Sequence, residues 1–259
     1  MNHTDRLEVH MFPCLSDNYG FLIHDHVNNL TATIDTPEVT AIEKALNENN
    51  WSLTHIINTH HHYDHAGGNL ELKNKTGCTI IGPAVDQSRI PGIDQCIQHE
   101  EVFQFGEHKI KAFHTPGHTL GHMVYHFEDQ SLAFVGDTLF VMGCGRLFEG
   151  TPEQMWSSLS IIKQWPSNTK LYCAHEYTQT NANFAISIEP NNNALVDRKT
   201  LIDDLRLANT PTVPTTVELE KTTNPFLRAN QEQIKTFLNM NESSDIEVFA
   251  EIRKRKDNF

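Results

Sequence analysis

The chain has 259 residues, 38% hydrophobic and 20% charged, with a formal net charge of -13. That is enough apolar residue for a sizeable core, either one large domain or one domain plus a smaller one. A surface that acidic repels phosphate backbones and anionic lipid, so nucleic acid and membrane partners are not expected.

The N-terminus, MNHTDRLEVHMFPCL, lacks a basic segment followed by an apolar one, so no signal peptide is expected. No apolar run approaches the roughly 20 residues that cross a bilayer. Cysteines 14, 78, 96, 144 and 173 are widely spaced, with no Cys-x-x-Cys pair. They read as reduced thiols of a cytoplasmic protein.

Strands are predicted at Phe21 to Ile23 and Leu30 to Asp35, then a helix over Glu38 to Asn49 on the spacing of Ala41, Ile42, Ala45 and Leu46. Leu53 to Asn58 is a β-branched strand. Further strands are expected at Thr79 to Ile81, Lys109 to Phe113, Met123 to Phe127, Leu132 to Val135 and Lys170 to Cys173. Thr151-Pro152-Glu153-Gln154 opens a helix with a hydroxyl cap, proline in the first turn and Gln three residues after the cap; Trp165-Pro166 ends it. After Tyr177 the strand signal nearly disappears. Helices are predicted over Thr180 to Ile188, Ala194 to Leu207, Gln231 to Leu238 and Ile246 to Lys256. This places a boundary near 177, between an α/β domain (1–177) and a small all-helical one (178–259).

The chemistry concentrates in Thr59-His60-His61-His62-Tyr63-Asp64-His65, directly after a strand. In extended chain, alternate side chains share a side, so His60, His62 and Asp64 project together and His61 and Tyr63 away; His65 then begins a helix. Two imidazoles at i, i+2 suit one metal ion, and the Asp64-His65 pair suits a second. More ligands are needed. His118, Asp137 and His175 each lie in a loop just after a predicted strand, and such strand ends can converge on one rim of a sheet. All donors are N or O, which suits zinc, iron or manganese, with zinc the default. Two divalent ions with two carboxylates and a bridging hydroxide leave a charge of about +1, and such a centre activates water, so hydrolysis is the natural reaction.

Thr59 to His65 with His118, Asp137 and His175 resembles the metallo-β-lactamase superfamily. The resemblance implies an αββα sandwich. It also implies one metal on His60, His62 and His118, a second on Asp64, His65 and His175, and Asp137 as the bridge. Flavo-diiron relatives carry Glu where this chain has His62. The segments Gly136 to Phe140, Gly143 to Thr151, Cys173 to Thr178, Asn224 to Arg228 and Arg253 to Phe259 closely resemble glyoxalase II, the hydroxyacylglutathione hydrolases. That resemblance implies hydrolysis of S-D-lactoylglutathione to glutathione and D-lactate, the second step of methylglyoxal detoxification. Asp64 and Asp137 then serve catalysis with a metal-bridging hydroxide. Arg146, Arg253 and Lys256 match positions that hold a glutathione carboxylate, and Tyr177 matches a tyrosine near its amide backbone. Phe148 stands where some members have Tyr, and Arg146 where some have Lys. An anionic substrate suits locally placed cations on an acidic protein, and Ile252 to Lys256 is a basic run. Read on its own, that run is a solvated helix end. The competing readings are a glutathione persulfide dioxygenase of the same superfamily and a non-enzymatic metal-binding protein. A monomer is expected.

Overall fold

A computed structural model describes residues 7–259; the opening of the N-terminal segment read for a leader, residues 1–6, lies outside them. The chain forms two compact units, Met1–His114 with Gly121–Gly136, and Thr115–Leu120 with Asp137–Phe259.

The first unit carries β1 (Glu8–Cys14), β2 (Asn18–Asp25), β3 (Leu30–Ile34), α1 (Val39–Asn49), β4 (His55–Ile57), α2 (Tyr63–Ala66), α3 (Asn69–Thr76), β5 (Thr79–Pro83), β6 (Gln95–Ile97), β7 (Val102–Phe105), β8 (His108–His114), β9 (Met123–Phe127) and β10 (Leu132–Gly136). Strands β1 to β6 lie side by side in chain order. The first three are antiparallel and the rest run parallel. Strands β7 to β10 form an antiparallel meander. β1 was not predicted, because Pro13 interrupts its pattern. An edge strand tolerates proline, since its outer N–H groups need no ladder partner.

Both faces of the first sheet are covered, which is why β4 and β5 read as continuous apolar runs rather than alternations. On one face Leu22, Ile56 and Ile80 pack with Ile42 and Leu46 of α1 and Leu72 of α3. On the other, Phe21 meets Phe134 of the meander edge-on at 5.4 Å. The buried Tyr125 hydroxyl donates to the Asn58 carbonyl at 2.6 Å. That bond ties the meander to the end of β4, where the His-rich run begins.

Burial holds the imidazoles of His24, His55 and His126 below the ordinary histidine range. A folded pKa below the unfolded one means that the unfolded chain takes up protons first. The stability these groups contribute is therefore full above the unfolded value of about 6.5 and is lost as pH falls through it towards the lower folded value. The drop in Tm between pH 7.5 and 5.5 will be smaller for His55→Gln than for wild type. Comparing the two proteins cancels the shared effect of metal loss, and an equal drop in both would contradict the assignment.

The second unit carries β11 (Leu139–Phe140), β12 (Gly143–Cys144), α4 (Pro152–Lys163), β13 (Lys170–Cys173), α5 (Thr178–Ile188), α6 (Asn193–Leu207), β14 (Thr215–Thr216), α7 (Val217–Thr223), α8 (Glu232–Leu238) and α9 (Asp245–Asp257). The expected capping box of α4 is present: Gln154 N donates to Thr151 Oγ1 at 3.3 Å and Thr151 N to Gln154 Oε1 at 2.9 Å. Ser244 and Glu247 build a second box on α9. The Asn224 to Arg228 segment stitches the β11–β12 hairpin to the helices. Asn224 Nδ2 donates to the Gly143 carbonyl and to the buried carboxylate of Glu220, and Arg228 grips Glu189 through two bonds. No helix of the described residues is long and apolar enough to cross a membrane.

Candidate metal centre

Each unit carries a group of donor side chains that follow strand ends in sequence. In the first unit the organiser is Asp35, which closes β3 with a φ of 60°. Its buried carboxylate accepts from Thr59 N, Thr59 Oγ1 and His65 Nδ1, each at 2.7 Å. With its proton committed to Asp35, the Thr59 hydroxyl accepts from His60 Nδ1 at 3.0 Å. Both rings are thereby held with Nδ1 protonated and a lone pair on Nε2, the arrangement of a ligating histidine with its outer partner in place. His60 Nε2 lies 3.0 Å from His62 Nδ1. His65 Nε2 lies 3.5 Å from Asp64 Oδ2, which also accepts from Asn18 Nδ2 at 3.1 Å.

The helix starts earlier than expected. His62 is already the residue before α2, so Asp64 and His65 both lie on its first turn rather than Asp64 ending an extended run. Facing outward from that turn, Tyr63 is 84% exposed. His122 is fully buried, with its ring stacked on His60 at 4.8 Å.

In the second unit His118 Nε2 lies 3.4 Å and His175 Nε2 3.5 Å from the same oxygen, Asp137 Oδ2. The Arg146 carbonyl accepts from His118 Nδ1 at 2.9 Å, again leaving the Nε2 lone pair for a metal ion. His175 is stacked face to face on Tyr177 at 4.8 Å and meets Phe140 edge-on. Two glycines admit these side chains. Gly136, at φ 47°, delivers the chain to Asp137 where a Cβ would meet His122 and Thr59 at 2.7 and 2.9 Å. At Gly145 a Cβ would overlap the Asp137 carbonyl.

The donor set fits divalent metal in its chemistry and its spacing. Donors bound at about 2.0–2.2 Å to one tetrahedral ion stand roughly 3.3–3.6 Å apart, close to the separations within each group. Cys14, Cys144 and Cys173 do not fit as nucleophiles. Burial pushes the thiols of Cys14 and Cys173 up to about 12 and that of Cys144 to about 11, so they stay protonated at neutral pH. All five cysteines are free thiols.

The predicted substrate residues lie in the second unit. Arg253 is buried, not part of a solvated helix end. It donates to the Cys144 carbonyl at 2.9 Å, pairs with Asp257 at 2.7 Å and lies over the Phe226 ring. Lys256 reaches over Phe184 and Phe259. Burial lowers the Lys256 pKa, and Arg253 and Arg146 lower it further. Arg146 itself is exposed, and Tyr177 is 39% exposed. Phe148 packs edge-on against His118 at 5.2 Å. The sequence does not mark Asp35 or Asn18 as partners, and it shows Thr59 in the motif without its role. The only hint for Asp35 was its place at the end of a predicted strand.

Residues 31–175 match the model of the metallo-beta-lactamase superfamily, and residues 176–259 match that of the hydroxyacylglutathione hydrolase C-terminus. The chain is 52% identical over 253 residues to a hydroxyacylglutathione hydrolase from Maricaulis maris, covering 98% of this chain and 99% of the relative. A hydroxyacylglutathione hydrolase from Rhizobium meliloti is 51% identical over the same shares. Among solved structures, ETHE1 from Myxococcus xanthus superposes with a TM-score of 0.68 at 22% identity, covering 95% of this chain and 90% of that one. The BLEG-1 B3 metallo-beta-lactamase gives 0.65 at 19%, covering 85% and 99%. These two likenesses show the fold. By its two family models and its near full-length relatives, the chain belongs to the hydroxyacylglutathione hydrolase family of the metallo-beta-lactamase superfamily.

Proposed function

We propose that this chain is a glyoxalase II, hydrolysing the thioester of S-D-lactoylglutathione and related S-2-hydroxyacylglutathiones to glutathione and the free hydroxy acid. The observation that carries this reading is identity of about half the residues to hydroxyacylglutathione hydrolases along nearly the whole chain. One divalent ion is assigned to His60, His62 and His118 and a second to Asp64, His65 and His175, with Asp137 shared by both. Support comes from the donor spacing within each group and from the buried partners that orient His60, His65 and His118. When bound, such ions polarise a carbonyl and bring water within reach of deprotonation at neutral pH. Zinc is our assignment, since N and O donors suit it; iron and manganese accept the same set.

The protein's own part is to hold the substrate. We assign residues 178–259 as the substrate-binding domain of the chain, following an α/β domain of residues 1–177. Besides its burial, Arg253 and Arg146 depress the Lys256 pKa, and an anion seated among the three cations relieves that repulsion. A glutathione carboxylate has the right charge, and Tyr177 is assigned to its amide backbone. The enzyme is taken to act as a monomer in the cytoplasm, where its free thiols persist.

Lys256→Ala will raise KM for the glutathione thioester about tenfold with little change in kcat, because a charge-assisted contact to a remote carboxylate binds ground and transition states alike. Arg253→Ala will raise KM and also lower Tm, since it strands the buried Cys144 carbonyl. Steady-state kinetics and thermal melts separate the two, and an unchanged KM in both variants would remove this carboxylate site. The function itself is tested by thiol release from S-D-lactoylglutathione. Oxygen uptake on glutathione persulfide without thioester cleavage would replace it with the dioxygenase reading. Stoichiometric metal without turnover of any thioester, lactone or β-lactam would replace it with a binding protein.

A further inference from the structure

His61 stands between two assigned ligands, His60 and His62, and is itself held by two side chains outside the site. Arg89 Nη1 lies 3.3 Å from His61 Nε2. A guanidinium only donates, so Nε2 accepts, and the ring proton sits on Nδ1. Nδ1 then donates to Asp86 Oδ2 at 3.0 Å. The other Asp86 oxygen accepts from Arg89 Nε at 3.1 Å and from Nη2. The three side chains close a ring of hydrogen bonds around a carboxylate that is fully buried.

The ring has a firm base. Arg89 N and Ile90 N donate back to the Asp86 carbonyl at 2.8 and 3.0 Å. Ile90 is part of the apolar core beneath the first sheet. Gly121 leaves the slot open, since a Cβ there would overlap the Asp86 carboxylate.

We propose that Asp86 and Arg89 are positioning residues that clamp His61, keeping the middle imidazole of the tract from ligating metal and holding His60 and His62 in ligating register. Adjacent Cα atoms are only about 3.8 Å apart, so fixing residue 61 constrains both neighbours. A run of three histidines without such a clamp offers three competing imidazoles and several two-ligand registers. With both ring nitrogens of His61 engaged, one register remains. The inference rests on His60 and His62 being ligands.

The test uses the full-length, metal-loaded protein and its Co(II)-substituted form. Metal release to a chelator and the visible Co(II) spectrum are measured for His61→Ala, Asp86→Ala, the double variant, His61→Asn and His60→Ala. His61→Ala and Asp86→Ala will each release metal about 10- to 100-fold faster, the range seen when an outer partner of a ligand is lost. The double variant will be no worse than the more severe single one, because both break the same ring. Asp86→Ala will also change the Co(II) spectrum, as freed His61 enters the coordination sphere. His61→Asn keeps an N–H for Asp86 and will recover most of the wild-type rate. A core variant of matched Tm, such as Leu72→Ala, will release metal at the wild-type rate, which separates clamping from general destabilisation. Wild-type release and spectra in His61→Ala and Asp86→Ala, alongside metal loss in His60→Ala, would overturn the clamp alone. Additive effects in the double variant would also overturn it. Full metal retention in His60→Ala would overturn the ligand assignment beneath it.

Discussion

Asp137→Ala will lower kcat/KM for S-D-lactoylglutathione by at least about three orders of magnitude and reduce bound metal. One Asp137 oxygen stands within 3.5 Å of donor nitrogens on both His118 and His175, which are assigned to different ions. Alanine removes the shared ligand and leaves one carboxylate, Asp64, to offset two divalent cations. Their mutual repulsion then rises in a nearly dry site, where Asp137, His118 and His175 are each at most 6% exposed. Asp137→Asn keeps an acceptor oxygen but not the charge, and will retain more metal than alanine while recovering little activity. Elemental analysis with single-turnover kinetics checks both statements. Wild-type metal content and turnover in Asp137→Ala would remove the bridge from the assignment.

Asp35→Ala will be the most damaging change outside the assigned ligands. Its carboxylate takes three hydrogen bonds at 2.7 Å, and its loss strands Thr59 N–H inside the protein. Leaving buried donors unpaired costs about 1–3 kcal/mol each, so Tm will fall by many degrees. The effect on metal is separate. Without Asp35 the His65 ring is no longer held with Nδ1 protonated, and the Thr59 hydroxyl is free to donate to His60 Nδ1 instead of accepting from it. Metal affinity will drop about 10- to 100-fold. Asp35→Asn keeps one acceptor and will fall between wild type and alanine in both measurements. If Tm falls but competitive chelator titration gives wild-type affinity, Asp35 supports the fold and not the ligands.

The residues that announce the site in sequence are local ones. Thr59 to His65 follows a strand whose Ile56 and Ile57 fix its type, and the alternation of His60 and His62 points to the pair assigned to one ion. The α4 capping box is likewise a signal within four residues. What escaped reading acts over long separations. Asp35 reaches Thr59 and His65 across 24 and 30 positions, and Asp86 reaches His61 across 25. No local pattern marks a carboxylate as their partner. The early start of α2 escaped for another reason, since a four-residue helix carries too few turns to show periodicity. The basic C-terminal run was ambiguous in sequence because a solvated helix end and a buried arginine have the same composition. Burial of Arg253 against Phe226 and Cys144 separates them only in three dimensions.

Two metal ions are proposed to make this chain a glutathione thioester hydrolase. The most direct measurement is titration of metal-free protein with Zn(II) while following hydrolysis of S-D-lactoylglutathione. Activity is predicted to rise until two equivalents are bound and then to level off, with glutathione and D-lactate formed in equal amounts. Two bound equivalents without thioester cleavage, or full activity in the metal-free protein, would contradict the account.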